Sequence, residues 1–284
     1  MALKKASATD ELEKTLDTID EEEMRHLNVN TPVADEDGYI RGEKLLAGYI
    51  DKDGVLHDTF DYREMTGKDE EAISKAEVRS NGAKLCNVLV ERCVERIGTI
   101  DKKEVGQFKW GQIVRDMLGG DLDYMVFKIR EISKGTEIEF THKCPNCGQK
   151  LTTIMNTDEF KIQPFKGERE IPFELIRGYK DNKGNIHKSG VMRMPNGYDR
   201  EIITPMFRKN ASSAITTLIT RCMTFDDGTI PNSQQVQEMS IRDRDILENI
   251  IKENVFGVDT TIEGLICDNC GQDITGELGQ SDFF

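Results

Sequence analysis

The chain has 284 residues, room for about two ordinary domains. Its net charge of −14, from 38 Lys and Arg against 52 Asp and Glu, repels phosphate backbones and disfavours nucleic-acid binding. No apolar run approaches the ~20 residues of a membrane helix, so no membrane span is expected.

Residues 1–10 carry Lys4 and Lys5 without an apolar stretch behind them, so no secretory signal is expected. Seven cysteines in a reducing compartment suit metal better than disulfides. Residues 8–27 then read as one amphipathic acidic helix, with Leu12, Leu16, Ile19 and Met24 as a narrow apolar stripe. Such an arm either stays solvated or docks on a neighbouring subunit, and it is bounded here as residues 1–36.

Beyond the arm the chain repeats itself. Gly48, Tyr49, Asp51, Gly54 and His57 fall on Gly178, Tyr179, Asp181, Gly184 and His187 at one constant offset, which also carries Arg63, Gly67, Asp69 and Glu71 onto Arg193, Gly197, Asp199 and Glu201. With small drifts, Asn81, Leu89, Arg92 and Cys93 fall on Asn210, Leu218, Arg221 and Cys222, and Asp121 and Asp123 on Asp243 and Asp245. Collinear matches of this period predict a tandem duplication of whole domains. The expected fold class is α+β, with domains 37–165 and 166–284 cut near Lys166 in a linker, 163–170, that holds Pro164 and Gly167.

Each copy is expected to open with a hairpin, turning at Asp51-Lys52-Asp53-Gly54 and Asp181-Asn182-Lys183-Gly184, because Asp, Asn and Gly accept the dihedrals of tight turns. A short strand and then an apolar-faced helix follow, over 81–97 and 211–223. A last helix is predicted over 121–132 and 243–254, each ending before a glycine, Gly135 and Gly257. Strands 137–141 and 261–265 then feed the chain into its cysteine turns.

Those turns, Cys144-Pro145-Asn146-Cys147-Gly148 and Cys267-Asp268-Asn269-Cys270-Gly271, are the strongest chemical signal. A Cys-x-x-Cys-Gly turn aims two sulfurs at one point, and zinc takes four. The simplest closed site joins Cys144, Cys147, Cys267 and Cys270 across a pseudo-twofold axis, so that one structural zinc staples the copies. Two half-sites completed by other subunits, or a redox disulfide, are the alternatives; redox dithiols usually sit at a helix N-terminus, whereas these follow strands. His142 is expected at the surface, since its counterpart is Leu265, and His57 and His187 are expected to serve their hairpins. Cys93, Cys222 and Cys86 read as core residues, and the aspartate pairs at 121/123 and 243/245 as helix caps rather than catalytic dyads. No phosphate-loop, dinucleotide, zincin or nucleophile-elbow motif is present, so no enzyme activity is expected.

The run Arg63-Glu64-Met65-Thr66-Gly67-Lys68-Asp69-Glu70-Glu71, then Leu118-Gly119-Gly120-Asp121, Ile129-Arg130 with Gly135, and the Cys-Pro-x-Cys-Gly turn resemble the baseplate hub and tail-assembly proteins of T-even-type contractile-tailed phages. The resemblance covers about residues 48–160 and, through the duplication, 178–275. It implies a structural or assembly role at the baseplate hub of the virion tail, assembly in the host cytoplasm, partners among other tail and baseplate proteins in a multi-subunit assembly, and no catalytic residues. A zinc-ribbon adaptor for nucleic acid or a polymerase is the competing reading, and the acidic balance weighs against it. Ser281-Asp282-Phe283-Phe284 would be a further docking segment.

Overall fold

The structure, a computed structural model, describes residues 34–181, 183–278 and 283. The predicted arm helix and most of the 281–284 segment lie outside the described residues. Strands β1 (Tyr39–Ile50) and β2 (Leu56–Arg63) form the first hairpin. Its turn is closed by the Asp51 carboxylate, which accepts from the backbone amides of Asp53 and Val55 at 2.9 Å each. Next come α1 (Gly67–Ile73), α2 (Ala76–Arg79) and α3 (Gly82–Cys93), the last capped by Asn81, which accepts from the Lys84 amide.

The apolar face of α3, Leu85, Cys86, Leu89, Val90 and Cys93, packs into the first core with Phe60, Tyr62 and Trp110. The helix predicted over 81–97 stops at Cys93. Val94 leaves the helix with extended backbone, and β3 (Val94–Ile97) pairs with β2, where Ile97 faces Phe60. A β-branched residue at each end of a half-buried tetrapeptide suits the pleated edge better than another helical turn.

The chain continues through β4 (Ile100–Asp101), α4 (Lys102–Val105), α5 (Gln107–Asp116) and α6 (Gly119–Lys134). The first half ends in the hairpin β5 (Glu137–Lys143) and β6 (Lys150–Asn156).

A short strand, β7 (Ile162–Gln163), leads to the second half, which runs through the same kinds of element: β8 (Glu170–Lys180), β9 (Ile186–Arg193), α7 (Gly197–Phe207), α8 (Ala211–Cys222), β10 (Met223–Phe225), α9 (Ser233–Glu238), α10 (Ile241–Glu253), β11 (Gly257–Val258), β12 (Thr261–Ile266) and β13 (Asp273–Glu277). Its core gathers Phe173, Tyr179, Met192, Ile219, Phe225 and Leu247. The sheets are antiparallel, in the orders β1-β2-β3-β4 and β10-β9-β8.

Three further expectations change. Gly135 does terminate α6, but Gly257 is not the stop of α10: that helix ends at Glu253 with Asn254 as its cap, close to the expected boundary, and Gly257 sits in β11. There it has φ +109° and lies against Gly120, where a Cβ would stand 2.9 Å from the Gly120 carbonyl oxygen. The stretch expected to be a linker is tied down: β7 pairs with β11, and Arg169 donates to the carbonyls of Ala47 and Gly48. Finally, Asp121 and Asp243 do not cap their own helices. Asp121 accepts from the amides of Leu46 and Ala47, and Asp243 from those of Ile176, Arg177 and Gly178, so each pins an irregular stretch of the hairpin strand in its own half.

Candidate metal centre

Strands β5 and β12 deliver Cys144 and Cys267 to equivalent turns. The Cys144 amide donates to the Gln149 carbonyl at 2.9 Å and the Gly148 amide to the Cys144 carbonyl at 2.9 Å; the second turn repeats this with Cys267, Gln272 and Gly271 at 2.9 and 2.8 Å. Gly148 and Gly271 have φ of +72° and +68°, the left-handed backbone that lets the chain fold back behind its sulfurs.

All four sulfurs lie within 4.8 Å of one another. Cys144 Sγ is 3.6 Å from Cys270 Sγ, and Cys147 Sγ is 3.7 Å from Cys267 Sγ. Tetrahedral zinc with Zn–S bonds of about 2.3 Å needs sulfurs about 3.8 Å apart, so this donor set fits such an ion. Cys144 and Cys267 are buried against Ile274, Leu151 and Leu265, while Cys147 and Cys270 face outward. Hydrogen bonds from the Asn269 side chain and the Gln149 backbone hold the Cys147 thiol down to about 6, which favours the thiolate a metal requires. Desolvation pushes Cys267 up to about 11, and a bound cation would reverse that shift.

The sulfurs meet crosswise, the first of each turn with the second of the other, whereas the contacts between the two halves are not reciprocal. Asn81 and Asn87 of the first half hold α7 of the second, whereas Gly67, the residue matched to Gly197 of α7, has open space around it.

The remaining candidates have other duties. His57 and His187 hydrogen-bond the turn aspartates Asp51 and Asp181 at 3.1 and 3.4 Å. His142 is not the surface residue expected. It is half-buried, its ring lies 5.5 Å from that of Phe140, and both ring nitrogens are shielded without a hydrogen-bond partner, because β5 turns this face toward the interior. Cys93 and Cys222 are core residues whose thiols burial pushes up to about 12, and burial also raises that of Cys86. Asp123 pairs with Arg200 at 3.0 Å, and Asp245 is exposed, so neither aspartate pair forms a dyad.

Two features went unread in the sequence. Asp69 lies between Arg63 and Arg92, at 2.8 and 2.7 Å, and Asp199 between Arg193 and Arg221, at 2.6 and 2.7 Å. The matched charges were visible, but their convergence was not. A half-open, mainly apolar cavity of about 340 Å³ also lies between the halves, lined by Val126, Phe127, Arg200, Phe256 and Phe283 among others. Phe283, expected to dock on a partner, packs instead with Phe127 and Phe160.

The family model described as T4 bacteriophage base plate protein matches residues 49–284, from the first hairpin through both cysteine turns. The chain belongs to that family. This T4-type base plate protein therefore has a structural role in the phage baseplate, a place in the virion tail, and assembly with other tail proteins. Comparison with curated proteins returns no match, and comparison with solved structures returns none. Among the described residues, no helix is long and apolar enough to cross a membrane.

Proposed function

We propose that this base plate protein is a non-enzymatic scaffold of the hub region of a contractile tail, assembled in the host cytoplasm and built from a tandem duplication whose halves, 37–165 and 166–284, share one structural zinc on Cys144, Cys147, Cys267 and Cys270. The observation that carries the reading is the convergence of two cysteine turns, one from each half, on a single point with sulfur spacings that suit tetrahedral zinc. Four protein ligands close the coordination shell and leave no position for water, so the ion would supply rigidity rather than chemistry. The like-for-like aspartate anchors and arginine–aspartate clusters of the two halves support the duplication.

Two measurements test this. Labelling the chain in intact virions should place it at the centre of the baseplate and co-purify it with hub proteins; label at the periphery would refute the hub placement. Chelation of the purified chain should loosen β5–β6 and β12–β13 together in hydrogen exchange, and protection that is unchanged would refute the staple.

A further inference from the structure

Inside the chain the two halves meet head to tail. Asn81 Nδ2 donates to the Glu201 carbonyl at 2.8 Å; Asn87 Nδ2 donates to the Gly197 carbonyl at 3.2 Å and to Glu201 Oε2 at 3.0 Å; Arg115 Nε reaches the same Oε2 at 3.3 Å. Pro205 makes the first bond available. It lies in α7 four residues after Glu201 and has no N–H, so the Glu201 carbonyl is open to Asn81. Gly197 permits the approach, for a Cβ there would stand 2.6 Å from Asn87 Oδ1 and 2.9 Å from Leu122 Cδ1.

Each half of this contact has a counterpart that the chain does not use. Gly67 and Glu71 of α1 match Gly197 and Glu201, yet a Cβ on Gly67 would meet nothing within 4 Å and Glu71 is exposed, without an ion pair among the described residues. Helix α1 ends at Ile73, so the Glu71 carbonyl, like that of Glu201, accepts no amide four residues on. On the receiving side, Asn210 matches Asn81 and is exposed; its oxygen accepts from the Ser213 amide, and among the described residues its NH₂ donates to nothing. Arg244 stands where the first half has Leu122. It is 9% exposed and bonded to Thr216 Oγ1 and the carbonyls of Val236 and Ser212, with no carboxylate beside it among the described residues. A nearly buried guanidinium without a counter-charge favours an incoming carboxylate.

We infer that α1 of one copy docks on the α8–α10 face of a second copy of this chain, with Glu71 approaching Arg244 and Asn210 donating to the Glu71 carbonyl. The contact repeats between chains what α7 and α3 do within one, and it rests on the duplication proposed above. Such a contact is heterologous, so successive copies close into a ring or run on as a filament.

Sedimentation velocity of the full, metal-loaded chain over a concentration series tests it. The wild type is expected to self-associate. Gly67→Trp and Glu71→Lys are each expected to weaken association about tenfold or more with the melting temperature unchanged, since neither side chain has a role within its own chain. A wild type that stays monomeric at every concentration would overturn the inference, as would variants that associate like the wild type, or a Gly67→Trp chain that loses association only by unfolding. The metal content of the same samples separates the two readings: a monomer with its zinc intact refutes the contact between copies and leaves the staple standing.

Discussion

Asp121 and Asp243 each reach from the first turn of a helix to a hairpin strand of their own half, yet they stand in different surroundings. Asp243 spreads its acceptor capacity, with Oδ1 taking the Ile176 and Arg177 amides and Oδ2 those of Arg177 and Gly178. Asp121 takes both of its bonds on Oδ1, from Leu46 at 2.8 Å and Ala47 at 3.0 Å, and its Oδ2 is buried without a hydrogen-bond partner. Arg169 covers the same stretch of the first strand, so the Asp121 anchor is shut in by the seam between the halves. Burial pushes its carboxyl up to about 6. The aspartate anchor is thus part of a seam in the first half and a local anchor in the second, and the same asymmetry separates Gly197, which is enclosed, from Gly67, which is open.

The comparison breaks most completely if the halves are independent. If one zinc is shared as proposed, chelation or Cys267→Ser should loosen both cysteine hairpins at once, because free energies of structural zinc binding are on the order of 10 kcal/mol and belong to folding. A hydrogen-exchange change confined to β12 and β13 would show that no ion is shared.

The arginine–aspartate clusters come next. Asp199→Asn leaves Arg193 and Arg221, each about a third exposed, without their shared carboxylate and should cost about 2–3 kcal/mol in denaturant unfolding, and Asp69→Asn should cost less, since α7 also carries the seam. Burial raises both carboxyls, but the Arg193 and Arg63 hydrogen bonds, with their backbone partners, outweigh it and hold both below the ordinary range. That stability is present above about pH 4 and is lost as pH falls below it. Equal costs for the two variants would remove this difference between the halves.

Asp121 has the opposite sign. Its folded state binds a proton more tightly than the unfolded chain does, so its contribution is present below pH 3.8 and falls as pH rises to about 6. The change is about 3 kcal/mol. Asp121→Asn should remove that slope from stability measured between about pH 4 and pH 6; a slope that persists would mean that another group carries it.

The smallest effects are the sharpest. Gly197→Ala should cost about 1–3 kcal/mol through overpacking against Asn87 and Leu122, and Gly67→Ala should be neutral or stabilising by about 0.5 kcal/mol. Paired thermal melts read both.

Local chemistry made much of this legible. The Asp-Gly turns, the cysteine turns and the apolar faces of α3 and α8 depend on neighbours in sequence, and they appear where periodicity and spacing put them. The misreadings involve partners far along the chain. Val94–Ile97 continues the apolar pattern of α3, and only the pairing with β2 makes it a strand. Asp121 and Asp243 look like caps until the hairpins fold back onto them, and Gly257 looks like a helix stop until Gly120 arrives opposite it. For the candidate site, the four cysteines were readable as a set from spacing, but which sulfur meets which, and the half-buried setting of His142, required the fold.

The most direct test of a shared staple is the metal-to-chain ratio of the purified full chain, taken with the X-ray absorption spectrum of the metal. One zinc per chain, surrounded by four sulfurs at about 2.3 Å, is the predicted result. No zinc, two per chain, or a shell containing nitrogen or oxygen would contradict it.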